Sequence, residues 1–141
     1  MLRTDFQSLF HTQDIRDLPL RQMHAVMGAR FWVICRKVGR DPVSDLAIRF
    51  RSVPAANAFI ALAEAVGEAW PEPFTIMRPC CSAVSVDEAV LSDMIGAAAR
   101  ADRGGFHAIL FDMIPHEARD TLFDAAVEFA GLFSPRRIAA S

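Results

Sequence analysis

The sequence lacks tyrosine and has only three cysteines, two of which, Cys80 and Cys81, are adjacent. An odd number of cysteines without regular spacing excludes the disulfide framework of a small secreted domain. The longest charge-free run extends from Ser52 to Ala63, shorter than the ~20 apolar residues of a membrane-spanning helix. An acid at Asp5 and the missing apolar segment argue against a secretory signal. The sequence therefore predicts a cytoplasmic protein with reduced thiols and no membrane contact.

Patterns typical of enzymes are also missing. The only adjacent glycines are Gly104-Gly105, and no glycine motif for phosphates or dinucleotides is present. No serine lies in a Gly-x-Ser-x-Gly elbow, and no histidines have His-Glu-x-x-His spacing. These absences argue against an enzyme and predict no cofactor. A net charge of −2 argues against a protein whose main partner is nucleic acid.

The chain is rich in apolar residues. Of its 141 residues, 52% are hydrophobic and 23% are charged, which excludes intrinsic disorder and is enough for one domain with its own core. The mean hydropathy of +0.23 is high for a small soluble monomer. It predicts that some apolar surface lies in a subunit interface of a homo-oligomer, with a dimer favoured.

The first long helix is predicted from a regular apolar seam. Asp17 is the expected N-cap, Pro19 lies in the first turn and Gly39 is expected to end the helix. The seam residues repeat at steps of three and four: Leu20, Met23, Met27, Phe31, Ile34, Cys35 and Val38. This face is expected to meet the core.

Further helix starts are marked by capping residues. Asp41 and Ser52 are each followed by an early proline, and Ser85 with Glu88 forms a capping box. Gly104-Gly105 is expected to stop the helix that begins at the capping box. The final helix, 116–133, is apolar on two faces, which predicts a central position or a shared subunit interface.

The predicted fold is all-α, an irregular bundle of about five helices. Its expected parts are an N-terminal lead-in (1–16), a single helical domain (17–133) and a frayed tail (134–141). The alternative is an α+β fold with a minor strand pair, because three segments also fit a strand: 46–51, 74–77 and 106–113.

The cysteine pair provides the main candidate site. Cys80 and Cys81 lie in a proline-broken loop ahead of a helix, where a thiolate could be favoured for redox sensing, metal ligation or ligand binding. Structural packing is the simpler interpretation, because free cysteine is among the most buried residue types. His107 and His116, which lie near Asp112 and Glu117, could join the cysteines in a mixed metal site.

A second candidate surface is basic. It comprises five cations close together in the sequence: Arg36, Lys37, Arg40, Arg49 and Arg51. Such a corner could meet phosphate backbones, or it could pair with the acidic half of a neighbouring subunit.

Three segments resemble an uncharacterised family of small helical alphaproteobacterial proteins of the sphingomonad type, a domain of unknown function. They are Cys35-Arg36-Lys37-Val38-Gly39, Ala55–Trp70, and Pro79-Cys80-Cys81 with Asp87-Glu88-Ala89 downstream. The resemblance implies a helical fold and a bacterial cytoplasmic setting, and no chemistry.

Three functions are therefore expected, in order of preference. The first is a non-enzymatic, homo-oligomeric interaction or regulatory module, with a possible unidentified protein partner. The second is a small ligand- or metal-binding protein that uses the Cys80-Cys81 loop. The third is a weak nucleic-acid-binding regulator that uses the basic corner.

Overall fold

The computed structural model describes residues 13–139 of the chain, and the N-terminal lead-in up to residue 12 lies outside them. Six α-helices of eight residues or more and one of five follow a 3-10 turn at Ile15–Asp17. They are α1 (Leu20–Val38), α2 (Pro42–Phe50), α3 (Val53–Ala69), α4 (Val86–Ala99), α5 (Arg103–Leu110), α6 (His116–Leu132) and α7 (Pro135–Ala139). The all-α prediction is confirmed.

The alternative strand pair is wrong for the part of the chain that the structure describes. The segment 46–51 belongs mainly to α2, and 106–113 contains the end of α5 and a turn. The segment 74–77 has neither helix nor strand pairing, and the β contact seen is an isolated bridge between Asp14 and Ala83. No single helix within residues 13–139 is long and apolar enough to cross a membrane.

Three helix starts follow the predicted caps. The Asp41 carboxylate accepts from the Val43 N–H, and the Ser52 hydroxyl accepts from the Ala55 N–H. Ser85 and Glu88 satisfy each other's backbone donors. At the other end of α1, Gly39 adopts the left-handed conformation that a glycine takes without strain, with φ of 72°.

Two helix boundaries differ from the prediction. The residue that caps α1 is Pro19, without a side-chain hydrogen bond, and Asp17 lies in the preceding 3-10 turn. Gly104-Gly105 does not stop α4, which ends at Ala99; the pair lies in the first turn of α5, where Asp102 accepts from the Gly105 N–H. A strong local cap thus overrides the helix-breaking tendency of glycine.

After residue 133, a short helix, α7, occupies the segment predicted as a frayed tail.

The core is a cluster of phenylalanine rings between α2, α3 and α6. The ring of Phe50 lies 5.3 Å from that of Phe59 and 5.1 Å from that of Phe129, between ring centroids. Gly28 on α1 closes the cluster, since a Cβ there would lie 2.8 Å from Cζ of Phe50. The absence of a side chain at this position lets α1 approach the rings closely.

The buried face of α1 shares only Cys35 with the predicted seam. The residues that face the core are mostly small: Ala25, Val26, Gly28, Ala29, Arg30 and Cys35. The phenylalanine rings fill the space beside α1, so small side chains pack there. The large seam residues Ile34 and Val38 remain exposed instead.

The two apolar faces of α6 are explained by its position. It packs against α3, α4 and α5 within the same chain. Its buried residues include Leu122, Ala126 and Phe129. The helix therefore has a central position in the fold, one of the two explanations predicted for it.

Candidate functional site

The connection between α3 and α4, residues 71–85, crosses the outside of α1 and is called the strap below. Side chains at the start of α4 hold it in place. The Ser85 hydroxyl donates to the Thr75 carbonyl (2.7 Å), and Asp87 accepts from the Thr75 N–H (2.7 Å) and from the indole N–H of Trp70 (3.2 Å). The strap is therefore ordered by specific hydrogen bonds although it has no regular secondary structure.

A buried ion pair joins α1 to α4 beneath the strap. Arg30 and Glu88 form two hydrogen bonds, Nε to Oε2 at 2.8 Å and Nη2 to Oε1 at 2.9 Å, and both side chains are 0% exposed. Burial of two charges carries a large desolvation cost, so such a pair requires that its remaining polar atoms be satisfied. The strap supplies these partners.

The backbone of the strap completes the coordination of both charges. The Arg30 guanidinium donates to the carbonyls of Arg78 (3.2 Å), Cys81 (2.7 Å) and Ala83 (2.9 Å). The Glu88 carboxylate accepts from the N–H groups of Met77 (3.2 Å) and Ser85 (3.0 Å). The ion pair thus fixes the course of the strap from Met77 to Ser85.

An apolar cavity of about 200 Å³ lies between α1, α3, α4 and the strap, and is partly open to solvent. Phe74 and Ile76 contribute the strap side, and Trp32 contributes a wall from α1. No charged side chain lines it. The lining residues are Ala29, Trp32, Val33, Phe59, Leu62, Ala63, Val66, Gly67, Phe74, Ile76 and Leu91.

A second, wider groove of about 410 Å³, called the cationic groove below, adjoins this apolar cavity. Val33, Phe74 and Ile76 line both spaces. Every charged side chain that lines the groove is a cation. The full lining is Arg30, Val33, Ile34, Lys37, Phe74, Ile76, Met77, Arg78 and Pro79.

The cysteines do not line the cavity. Cys80 is exposed and Cys81 is half-buried at the far turn of the strap. The third cysteine, Cys35, is buried on α1, and its thiol donates to Asp45 at 3.1 Å. Burial, and then the hydrogen bond to Asp45, raise the pKa of the Cys35 thiol, so this cysteine is held in its protonated form.

His107 and His116 come together, but their partners are Arg119 and Asp120. The two rings stack with centroids 5.1 Å apart. Arg119 Nε donates to Nδ1 of His107 (3.1 Å), which leaves the ring proton on Nε2, 3.0 Å from Asp120 Oδ1. Arg119 also donates to the Phe111 carbonyl. The polar atoms of this cluster therefore satisfy one another and close the turn between α5 and α6.

The predicted mixed metal site is not assembled in the structure. Within residues 13–139, no group of three or more His, Cys, Asp or Glu side chains is placed to hold a metal ion. Asp112 and Glu117 are both exposed. His107 and His116 lie at the α5–α6 turn, whereas Cys80 and Cys81 lie on the strap.

The five cations of the basic corner have different environments. The Arg36 guanidinium lies over the Trp32 ring (5.0 Å), and Arg40 pairs with Asp45 (2.8 Å). Arg49 lies over the Phe31 ring and contacts His24, where burial and then the charge of Arg49 lower the pKa of the imidazole. Arg51 takes the left-handed conformation that ends α2, and Lys37 lines the cationic groove.

Sequence reasoning missed the central role of Arg30 and Glu88. No role was predicted for Arg30, which is fully buried. A signal was present, because Arg30 follows Met27 by three residues and Met23 by seven and so lies beside the apolar seam. Glu88 was identified as part of a capping box, which gave no indication of its second role.

No protein-family model, curated protein or solved structure matches this chain. No residue role is therefore transferred to it from a relative, and the resemblance to the alphaproteobacterial family stays a prediction.

Proposed function

We propose that this chain is a non-enzymatic regulatory module that binds a small apolar ligand in the cavity beneath the strap. The observation that carries the proposal is the cavity itself, about 200 Å³ in volume and lined by eleven residues of which none is charged. The bacterial cytoplasmic setting implied by the family resemblance is part of this proposal. The sequence predicted a ligand site at Cys80 and Cys81. In this proposal Phe74 and Ile76, on the same strap, contact the ligand instead.

The size and lining of the cavity favour an alkyl chain or a small ring. Water gains few hydrogen bonds in an apolar cavity, and a dry cavity of about 150 Å³ is large enough for benzene. A space of 200 Å³ therefore suits roughly six to eight carbon atoms on the same scale. Apolar pockets with few polar groups are the usual form of small-molecule sites.

The strap provides the regulatory element. Its inner side forms part of the cavity through Phe74 and Ile76, and its outer side displays Cys80 and Thr75 to solvent. A ligand that contacts Phe74 and Ile76 stabilises the conformation in which the strap is seated. Ligand binding would thus change a surface that a partner protein can contact.

A cavity-filling substitution tests the proposed ligand site. Ala63 is half-buried at the cavity wall, and Ala63→Phe is expected to occupy the space that a ligand takes. We expect 1-octanol to raise the midpoint of thermal unfolding of the wild-type protein, because it binds the folded state. Ala63→Phe is expected to bind 1-octanol at least about tenfold more weakly, a loss of roughly 1.4 kcal/mol. Its midpoint should therefore rise less than that of the wild type.

The matched control is Ala61→Phe, which places the same side chain on an exposed position of the same helix. This variant is expected to bind 1-octanol as the wild type does. Equal responses of the wild type and Ala63→Phe, or no response of the wild type, would contradict the proposed site.

A specific observation also favours the homo-oligomeric interaction function. Ile34 and Val38 of the α1 seam and Ile48 of α2 are exposed. Together with the half-buried Phe31 they form an apolar surface, called the α1–α2 face. Val38 is 62% and Ile48 is 76% exposed. The groove in this face is bordered by Arg40, Asp45 and Arg49, and charges of both signs suit contact with a second copy of the same surface.

The dimer proposal predicts a loss of self-association in Ile48→Glu. A carboxylate at the centre of an apolar interface must be desolvated, so we expect the dimer dissociation constant to rise about tenfold or more. Sedimentation equilibrium over a concentration series measures it. Val86→Glu also introduces a carboxylate at an exposed apolar position, on α4 and outside this face, and should leave the constant unchanged. A wild-type protein that stays monomeric throughout would remove the proposal.

A further inference from the structure

We propose that the ligand is an amphipathic anion, a medium-chain fatty carboxylate whose tail fills the apolar cavity and whose head group lies between Lys37 and Arg78. This inference rests on the proposed ligand-binding function and specifies the chemical class of the ligand. It follows from the position of the cationic groove directly beside the cavity.

The two spaces form one continuous surface with an apolar end and a charged end. Val33, Phe74 and Ile76 line both of them, so a chain that leaves the cavity passes these side chains into the groove. The groove has three cations and no acidic residue in its lining. An anionic head group is the complement of that end, and an alkyl chain is the complement of the other.

The three cations of the groove are not equivalent. Arg30 is fully buried and already neutralised by Glu88, with its other donors directed at strap carbonyls. Lys37 and Arg78 are exposed, and neither forms an ion pair with a carboxylate in the part of the chain that the structure describes. These two side chains are therefore the ones that remain to bind an anion.

Some other exposed arginines of the fold are already paired with a carboxylate. Arg16, Arg40 and Arg103 each have a carboxylate partner within 3.1 Å. Lys37 is on α1 and Arg78 is on the strap, so an anion held by both would link the strap to α1. Binding of the head group would therefore favour the same seated strap as binding of the tail.

The length of the ligand follows from the cavity. The cavity takes roughly six to eight carbons, and a few more are needed to pass Val33 and Phe74, so a carboxylate of about ten carbons fits. Two surface cations bind a carboxylate through charge and hydrogen bonds that salt screens. The contribution of the head group should therefore decrease as ionic strength rises, whereas that of the tail should not.

The test compares decanoate with 1-decanol, which has the same chain length without the charge. Isothermal titration calorimetry at low ionic strength and below the micelle concentration gives both affinities. We expect the wild-type protein to bind decanoate about tenfold more tightly than 1-decanol. In the double variant Lys37→Gln/Arg78→Gln, decanoate should bind only as well as 1-decanol. The backbone carbonyl of Arg78 that accepts from Arg30 is retained in this variant.

The control is Arg16→Gln/Arg40→Gln, which also removes two positive charges, but outside the groove, and should keep the preference for decanoate. If 1-decanol binds and decanoate binds no better, the inference fails and the proposed ligand site stands. If the Lys37/Arg78 double variant keeps the preference, the head group lies elsewhere and the assignment is overturned. If neither compound binds the wild type, the inference and the proposed site both fail.

Discussion

Replacement of Glu88 by glutamine is expected to lower the free energy of unfolding by about 3–5 kcal/mol, because it leaves the buried Arg30 guanidinium without a counter-charge. Arg30 is 0% exposed and lies among backbone carbonyls, so water cannot replace the lost carboxylate. Against a typical stability of about 5–15 kcal/mol, a change of this size is large. Denaturant unfolding followed by circular dichroism measures it.

Two further variants show which interactions cause this loss. Arg40→Met breaks an exposed ion pair with Asp45 and should cost no more than about 1 kcal/mol. The double variant Arg30→Met/Glu88→Leu removes both buried charges. It should remain less stable than the wild type by several kcal/mol, since the carbonyls of Cys81 and Ala83 and two N–H groups of the strap lose their partners, at about 1–3 kcal/mol each when they stay buried. A double variant as stable as the wild type would show that the strap does not depend on the pair.

Phe50→Ala is expected to cost about 3–5 kcal/mol of unfolding free energy, the usual range for removal of a fully buried ring. Phe50 contacts Phe59, Phe129 and Phe133, and it also approaches the backbone of Gly28. Loss of this ring leaves a cavity where α1, α2, α3 and α6 meet. Thermal and denaturant unfolding of the purified variant give the change.

The comparison variant is Phe111→Ala, which removes the same side chain from a position that is 68% exposed. Its ring contacts the Arg119 guanidinium, an interaction of about 0.5–1 kcal/mol at an exposed site. The two substitutions should therefore differ by at least about 2 kcal/mol. Similar losses for both would contradict the central role assigned to Phe50.

Helix starts were predictable because their determinants are local. Asp41, Ser52 and Ser85 each act on a backbone N–H two or three residues ahead, and that relation is visible in the sequence. Gly104-Gly105 was misread because its local signal is ambiguous. The residue that turns this pair into the start of a helix is Asp102, and a lone aspartate before two glycines is also typical of a turn.

The buried face of α1 was not predictable from its own residues. The apolar spacing correctly indicated a helix, but it selected the face with the largest side chains. In the structure, rings from α2 and α3 occupy the space beside α1, so Ala25, Gly28 and Ala29 pack there. Which face of a helix is buried depends on the volume that its neighbours bring, and this information lies elsewhere in the chain.

The candidate site depends on long-range contacts in the same way. Arg30 and Glu88 are 58 positions apart, and the cavity combines residues from Ala29 to Leu91. The proline-broken segment between α3 and α4 was recognised from the sequence, as was its position ahead of a capping box. Its contacts with α1 could not be derived, because a charged residue within a helix is usually solvated.

The hydrogen bonds of the strap also restrict how its sequence can diverge. Surface loops normally tolerate insertions and deletions, since their backbone groups are bonded to water. Here the carbonyls of Arg78, Cys81 and Ala83 meet a single buried guanidinium, and their spacing along the chain has to match its donors. Substitution at exposed positions such as Cys80 leaves this match intact, whereas one residue more or less between Arg78 and Ala83 breaks it. Homologous proteins that share this fold should vary in the identity of the strap's outer residues and keep its length.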